Sequence, residues 1–246
     1  MSEVANQSKG HSRDFHRLGL LGGMSWQSTA VYYRLLNESV GARVGGHASA
    51  PVTIHSVEFG AIEQYQRAGD WPPQGRILAD AAAGLERSGV EAIALGTNTL
   101  HLVADQITDA IAVPFIDLID VVASAVQSYD TVGLLATGYT MSSDMYPKRL
   151  AGFGTGVLVP DEADRDIVHS IIYRELVHGV VSDESRAAYR EVMAGLVQRG
   201  AQAILLACTE IDLLVGADDA CVPVYDTTAL HCAVLTDFMI TGEITL

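Results

Sequence analysis

The 246 residues are 49% hydrophobic with a mean hydropathy of +0.23, apolar enough for a sizeable packed core and too apolar for a disordered chain. Thirty acidic residues against fifteen basic ones leave a net charge of −15, which disfavours nucleic acid and anionic membranes as partners. No apolar run approaches the length needed to span a bilayer.

Residues 1–17 are polar and lack the apolar stretch of a signal peptide, so a disordered tail is expected there. Arg17 to Gly22 reads as a buried strand running into a Gly22-Gly23 turn. Ser25 to Val40 has helical spacing, with Val31, Leu35 and Leu36 on one side. Pro51 to Phe59 is β-rich, Ile77 to Ser88 is an alanine-rich helix, and Ala92 to Leu95 is a buried strand that stops at Gly96-Thr97. A helix over Gln106 to Ile111 and a short strand at Phe115-Ile116 follow. The order then repeats: strand Thr131 to Leu135, a turn, a helix from Ser142, and strand Val157 to Val159. Helices at Arg165 to Gly179 and Glu184 to Arg199 lead to strand Ala203 to Ala207. Strands alternating with helices predict an α/β fold with mainly parallel sheets.

The repeat extends to individual residues. Gly89 to Thr99 and Gly200 to Glu210 match in pattern, with Thr97 and Cys208 at equivalent positions 111 residues apart. Gly19-Leu20-Leu21 recurs as Gly133-Leu134-Leu135, followed at one offset by Ser28/Ser142, Tyr32/Tyr146 and Leu36/Leu150. Val113-Pro114 with Asp117 recurs as Val222-Pro223 with Asp226. Three blocks in one order at nearly one offset indicate a duplicated unit. The expected division is a first half over 18–116, joined by a return of about 213–246, and a second half over 117–212. In parallel sheets ligands gather beyond the carboxyl ends of the strands, so a shared cleft with Thr97 and Cys208 on opposite sides is expected.

Cys208 follows a buried strand and precedes a predicted helix start, whose N–H groups would favour a thiolate; the bland alternative is an inert buried cysteine. Cys221 and Cys232 have no such context. The three cysteines form no CxxC, which fits neither a disulfide framework nor a zinc site and points to a reducing cytoplasm. His55, His169 and His178 have no joint metal spacing, and no metal is assigned. The only lysines are Lys9 and Lys148, which disfavours pyridoxal phosphate because that cofactor needs a Schiff-base lysine. Gly22-Gly23 is too short a pattern for a dinucleotide. Asn98, Thr99 and Thr209 offer donors beside free backbone N–H groups, suited to a carboxylate or to ordinary helix capping. His101 could orient a carboxylate, modulate Thr97, or be a satisfied core residue.

Several stretches together resemble the aspartate/glutamate racemase family over nearly all of the chain from Leu18 on. They are Gly22-Gly23-Met24-Ser25-Trp26 with Ser28-Thr29 and Tyr32-Tyr33, Asn98-Thr99-Leu100-His101, and Gly133 to Thr137 with Thr140-Met141. Ile172-Tyr173 with Glu175-Leu176, Cys208-Thr209-Glu210-Ile211 and Asp226-Thr227-Thr228 complete the set. The resemblance implies two pseudo-symmetric three-layer α/β halves with the active site in the cleft between them. It also implies racemisation of an amino acid without a cofactor, in a homodimer. The family's usual catalysts are two cysteines, one per half. Here the first position holds Thr97 and the second retains Cys208, so Cys208 would be the main base. By the same resemblance Asn98, Thr99 and Thr209 match positions that hold the α-carboxylate, and Met24, Thr137 and Thr140 match pocket-lining residues. Arg165 matches a basic residue able to meet a side-chain carboxylate, with a solvated surface charge as the alternative. The arginine that aspartate-specific members carry near Gly45 to Ala50 has no clear counterpart, Arg43 being the nearest. Aspartate or glutamate, or a broader set of amino acids, is the expected substrate. A single thiol also suits a decarboxylase or cis-trans isomerase of a small dicarboxylate, and loss of one cysteine suits a non-catalytic amino-acid binder.

Overall fold

The computed structural model describes residues 15–246. In chain order the elements are β1 (Leu18–Gly22), α1 (Trp26–Val44), β2 (Val52–Ser56), α2 (Phe59–Ala68), α3 (Trp71–Arg87), β3 (Ala92–Leu95), α4 (Ala104–Thr108), β4 (Phe115–Ile116) and α5 (Leu118–Val126). The second half supplies β5 (Thr131–Ala136), α6 (Gly138–Met141), α7 (Met145–Ala151), β6 (Gly156–Leu158), α8 (Glu162–Arg174), α9 (Asp183–Gln198), β7 (Ile204–Ala207), β8 (Val224–Asp226) and α10 (Thr227–Thr241). A 3-10 turn at Thr99–Val103 precedes α4, and others follow α8 and β7.

The duplication is visible in the sheets. One has the order β2-β1-β3-β4 and the other β6-β5-β7-β8, the same order with the same spacing, and every strand pair is parallel. Equivalent bonds recur: Ile93 N–H donates to the Pro114 carbonyl at 2.9 Å, and Ile204 N–H to that of Pro223 at 2.8 Å. Asp117 and Asp226 each cap the helix that follows, accepting from Ile119 N–H at 2.7 Å and from Thr228 N–H at 2.8 Å. These carboxylates satisfy helix donors that would otherwise be unpaired, which is why Val-Pro and Asp recur together.

Helices α1, α10, α5 and α7 pack in succession between the sheets, α3 covers the outer face of the first sheet, and α8 and α9 flank β5 of the second. Buried Leu36, Val40, Val122, Leu150, Leu235 and Met239 make this middle layer one continuous core joining both halves. His231 on α10 ties the layer together. It donates Nε2–H to the Ile116 carbonyl at 3.0 Å and accepts the Tyr32 hydroxyl at Nδ1, also at 3.0 Å.

Several expectations shift. β8 pairs with β7 in the second sheet, so the segment that returns to the first half is α10 rather than all of 213–246. The expected tail lies outside the described residues up to position 14, whereas its last residues are tied down. His16 N–H donates to Met239 O at 2.9 Å and Arg17 N–H to the Glu91 carboxylate at 2.8 Å. α3 begins six residues before Ile77, with Pro72 and Pro73 in its first turn, where no N–H partner is required. The helix expected from Ser142 begins instead at Met145 as α7, after the short α6 that ends at Met141.

Candidate active site

Four loops sit at the carboxyl termini of β1, β3, β5 and β7, the two central strands of each sheet. They carry Met24-Ser25, Thr97 to Thr99, Thr137 and Cys208 to Glu210. These loops enclose one cavity of about 80 Å3, lined from the first half by Met24, Ser28, Phe59, Gln66 and Thr97 to Leu100, and from the second by Thr137, Ile172, Tyr173 and Cys208 to Glu210. A water-sized probe needs roughly 10–15 Å3 on this measure, so the cavity takes a small molecule and not a nucleotide. Gly23 makes the first loop possible. Its φ of +93° is in the left-handed range, and a Cβ there would meet the Val57 carbonyl oxygen at 2.2 Å.

Thr97 and Cys208 both reach this cavity and are partly exposed to it, each one residue or two beyond its strand. The helix expected after Cys208 is only a 3-10 turn over Ile211–Leu213. Helix-end charge contributes about 0.3–1 kcal/mol in favourable cases, whereas removing a charge from water costs several. Burial wins: it pushes the Cys208 thiol well above its ordinary pKa, reinforced by the Glu210 carboxylate and only partly offset by the Glu210 N–H. At rest Cys208 is therefore a thiol, donating to Glu210 Oε2 at 3.1 Å. Glu210 is itself buried and held by Thr209 Oγ1 at 2.7 Å and Ser28 Oγ at 3.1 Å. Neither Ser28 nor Glu210 stood out in the sequence as more than part of a motif. The signal was there: an acidic residue two positions beyond a strand-end cysteine.

The other expected site residues divide. Met24, Asn98, Thr99, Thr137 and Thr209 line the cavity. Asn98 is largely committed to the protein, its Oδ1 accepting the Tyr146 hydroxyl at 2.6 Å and its Nδ2 donating to Thr227 Oγ1 at 3.2 Å. That leaves one amide hydrogen for a ligand. Thr140 is fully buried behind the wall, bonded to Thr99 at 3.0 Å and Thr137 at 3.2 Å, so it fixes two lining hydroxyls rather than lining the cavity itself. Arg165 is not brought to the cavity. It lies in the first turn of α8 in a separate open groove with Trp71, Tyr139, Glu162 and His169. His101 donates Nδ1–H to the Thr97 carbonyl at 2.8 Å and accepts Leu118 N–H at Nε2 at 3.2 Å, so both ring nitrogens are engaged and the ring is held against the Thr97 backbone. Cys221 is exposed and Cys232 buried on α10, and neither lines the cavity. Lys148 is exposed on α7 and paired with Asp144.

Two parallel-stranded α/β halves meet at a cleft between strand ends, where a cysteine lies against a carboxylate. The family model described as Asp/Glu/Hydantoin racemase matches residues 21–235. The chain belongs to this racemase family, and it is an isomerase by class. A crystal structure of a candidate Asp/Glu racemase from Yersinia pestis is 45% identical, with a TM-score of 0.87 over 92% of this chain and 100% of that one. An aspartate racemase homologue from Pyrococcus horikoshii OT3 is 30% identical, with a TM-score of 0.79 over 92% and 99%. The broad specificity amino-acid racemase RacX of Bacillus subtilis (strain 168) is 22% identical over 162 residues, 63% of this chain and 67% of that protein. Among the described residues no helix is long and apolar enough to cross a membrane.

Proposed function

We propose that the protein interconverts L- and D-amino acids without a cofactor, with Cys208 as the main base and Thr97 in the place of the second cysteine. One observation carries this reading: equivalent strands of the two halves deliver Cys208 and Thr97 to one small cavity, with Glu210 against the sulfur. Glu210 takes the thiol proton, and the thiolate then takes the α-hydrogen as a proton, leaving its electron pair on Cα. The carbanion takes a proton on its other face from the Thr97 hydroxyl or a water beside it. The proton on Glu210 returns through solvent to that side, which restores the starting charges. Threonine cannot hold a useful fraction of alkoxide near neutral pH, so it serves as a donor far better than as a base. The opening N–H groups of the turn at Thr99, with the hydroxyls of Thr99 and Thr209, suit the α-carboxylate.

Lys148, exposed on α7, paired with Asp144 and not lining the cavity, supports the cofactor-free reading. The same reading puts the enzyme in a reducing cytoplasm, on its cysteine pattern, and in a homodimer, on the family resemblance. Incubating a panel of L- and D-amino acids in D2O tests it. Solvent deuterium is expected at Cα with the wild type and at least about a hundredfold less with Cys208→Ala. No exchange in any amino acid with Cys208 intact overturns the reading. Product from maleate or a disubstituted malonate, without amino-acid exchange, would select the single-thiol isomerase or decarboxylase instead.

A further inference from the structure

Proton transfer from Cys208 to Glu210 needs an exit for the proton while a substrate fills the cavity. Glu210 is only 8% exposed, and among the described residues its carboxylate bonds three side chains, Cys208, Thr209 and Ser28. Ser28 comes from the other half, and its place follows from the way α1 starts. Ser25 is the N-cap of α1, its Oγ accepting the Ser28 N–H at 3.2 Å. This capping turn sets the two serine hydroxyls side by side, also at 3.2 Å. Ser28 Oγ then reaches into the second half, to Thr209 Oγ1 at 2.6 Å and Glu210 Oε1 at 3.1 Å. Ser25 is partly exposed and precedes the exposed Trp26.

Each of these hydroxyls has one hydrogen to give. Thr209 commits its own to Glu210 Oε2 at 2.7 Å, so the short contact between Thr209 and Ser28 takes the Ser28 hydrogen. The Ser25 hydrogen then fills the contact to Ser28. Three hydroxyls point in file toward the carboxylate, with one hydrogen per contact. A file of this kind reverses as a unit when a proton arrives at its inner end, which is what a relay requires. The carboxylate reaches Ser28 from Oε2 through Thr209 and from Oε1 directly, so both routes out pass through Ser28.

We propose that Ser28 is the relay by which the proton on Glu210 exchanges with solvent while substrate is bound. This rests on the racemase reading above and gives its proton a path. Glu210 Oε2–H passes its proton to Thr209, Thr209 passes its own hydrogen to Ser28, Ser28 to Ser25, and Ser25 to a water. The carboxylate is regenerated, each hydroxyl keeps one hydrogen, and the positive charge leaves on the water. Run inward from D2O, the same steps bring a deuteron to Glu210 and then to the Cys208 sulfur. Ser28 acts through Glu210 and is a positioning residue.

Inversion does not need this path, because Glu210 lines the cavity and meets water there between turnovers. Exchange with retention does need it. The hydrogen taken by Cys208 must be replaced by deuterium before the same face of the carbanion takes it back. The test uses D2O and both enantiomers of aspartate and of glutamate, or of whichever panel amino acid exchanges fastest. Chiral separation with mass spectrometry scores retention and inversion separately. For the enantiomer whose α-hydrogen faces Cys208, Ser28→Ala should cut deuterium uptake with retention at least about tenfold, with inversion and KM within about threefold. Alanine is the better helix former and the smaller residue, so α1 should persist. Ser28→Thr keeps a hydroxyl and should return uptake to within about threefold of wild type. Unchanged uptake with retention in Ser28→Ala overturns the inference and leaves the racemase reading intact. So do equal losses of uptake and inversion, which mark a structural role, and a threonine variant no better than the alanine one. No deuterium uptake by the wild type with any amino acid overturns the racemase reading itself, and this inference with it.

Discussion

The sulfur of Cys208 is held as a thiol by the same burial that makes the cavity a good place for proton transfer. Its proton has one exit, Glu210 Oε2 at 3.1 Å, and Glu210 is locked by Ser28 and Thr209. Because the thiol lies well above its ordinary range, the thiolate fraction at neutral pH is small and rises with pH. Iodoacetamide should therefore label Cys208 slowly at pH 7 and ever faster through pH 9 without a plateau, followed by peptide mapping to separate the exposed Cys221. A plateau below pH 8 would mean a preformed thiolate and contradict this account. Glu210→Gln should cut turnover about a hundredfold at pH 7 and recover part of it at alkaline pH, where hydroxide does the carboxylate's work. A pH-independent loss would make Glu210 structural. Thr97 and Cys208 were legible from the repeat alone, since matched positions in matched halves must converge. The state of the sulfur was not. Pattern gives the position of a cysteine after a strand but not the length of the helix behind it, and here that helix is a single 3-10 turn.

At the level of elements, the central strands were readable because they are continuous apolar runs, such as Ala92–Leu95 and Ile204–Ala207, bounded by turn residues. α2 was not. Only Ile62 and Gln66 face inward, and the inward glutamine that meets the cavity interrupts the apolar stripe by which such a helix is recognised. Spacing to Tyr173 likewise sets distance along α8 but not which groove each turn faces, and Arg165 lines a groove apart from the cavity. Two element-level outcomes follow. Gly23→Ala puts a methyl on the Val57 carbonyl and forces a positive φ on alanine, so it should destabilise by at least about 2 kcal/mol in urea unfolding. Asp117→Ala removes the α5 cap and a partner of Arg149, at 3.4 Å, which bridges to Asp120 at 2.5 Å, and should cost about 1–2 kcal/mol. Unchanged midpoints would show that neither loop is as constrained as described.

Across the whole molecule, stability depends on a middle layer in which His231 is a buried polar tie between α10, α1 and β4. Burial, chiefly, pushes this imidazole down to about 3, with His101 adding to the effect. Its folded value lies below the unfolded value near 6.5, so the contribution is fully present above pH 6.5 and is lost as pH falls toward 3. Wild-type stability should decline by as much as a few kcal/mol over that window, and His231→Gln, which cannot charge, should decline less steeply. Parallel curves would show that other groups set the acid limit. The layer also fixes the relation of the two halves, and with it the opposition of Thr97 and Cys208. L- and D-amino acids have equal free energy, so kcat/KM must be equal in both directions however unequal the two residues are. The inequality must appear elsewhere: the carbanion is reprotonated from the Cys208 face, whose thiol exchanges its proton through Glu210, more often than from the Thr97 face, so proton transfer on the Thr97 face limits inversion in both directions. Parallel measurement of α-hydrogen exchange and of inversion, for each enantiomer of one substrate in D2O, exposes it. One enantiomer, with its α-hydrogen toward Cys208, should exchange with retention at least about tenfold faster than it inverts, while the other exchanges only as fast as it inverts. The same exchange-to-inversion ratio for both enantiomers would contradict the unequal pair.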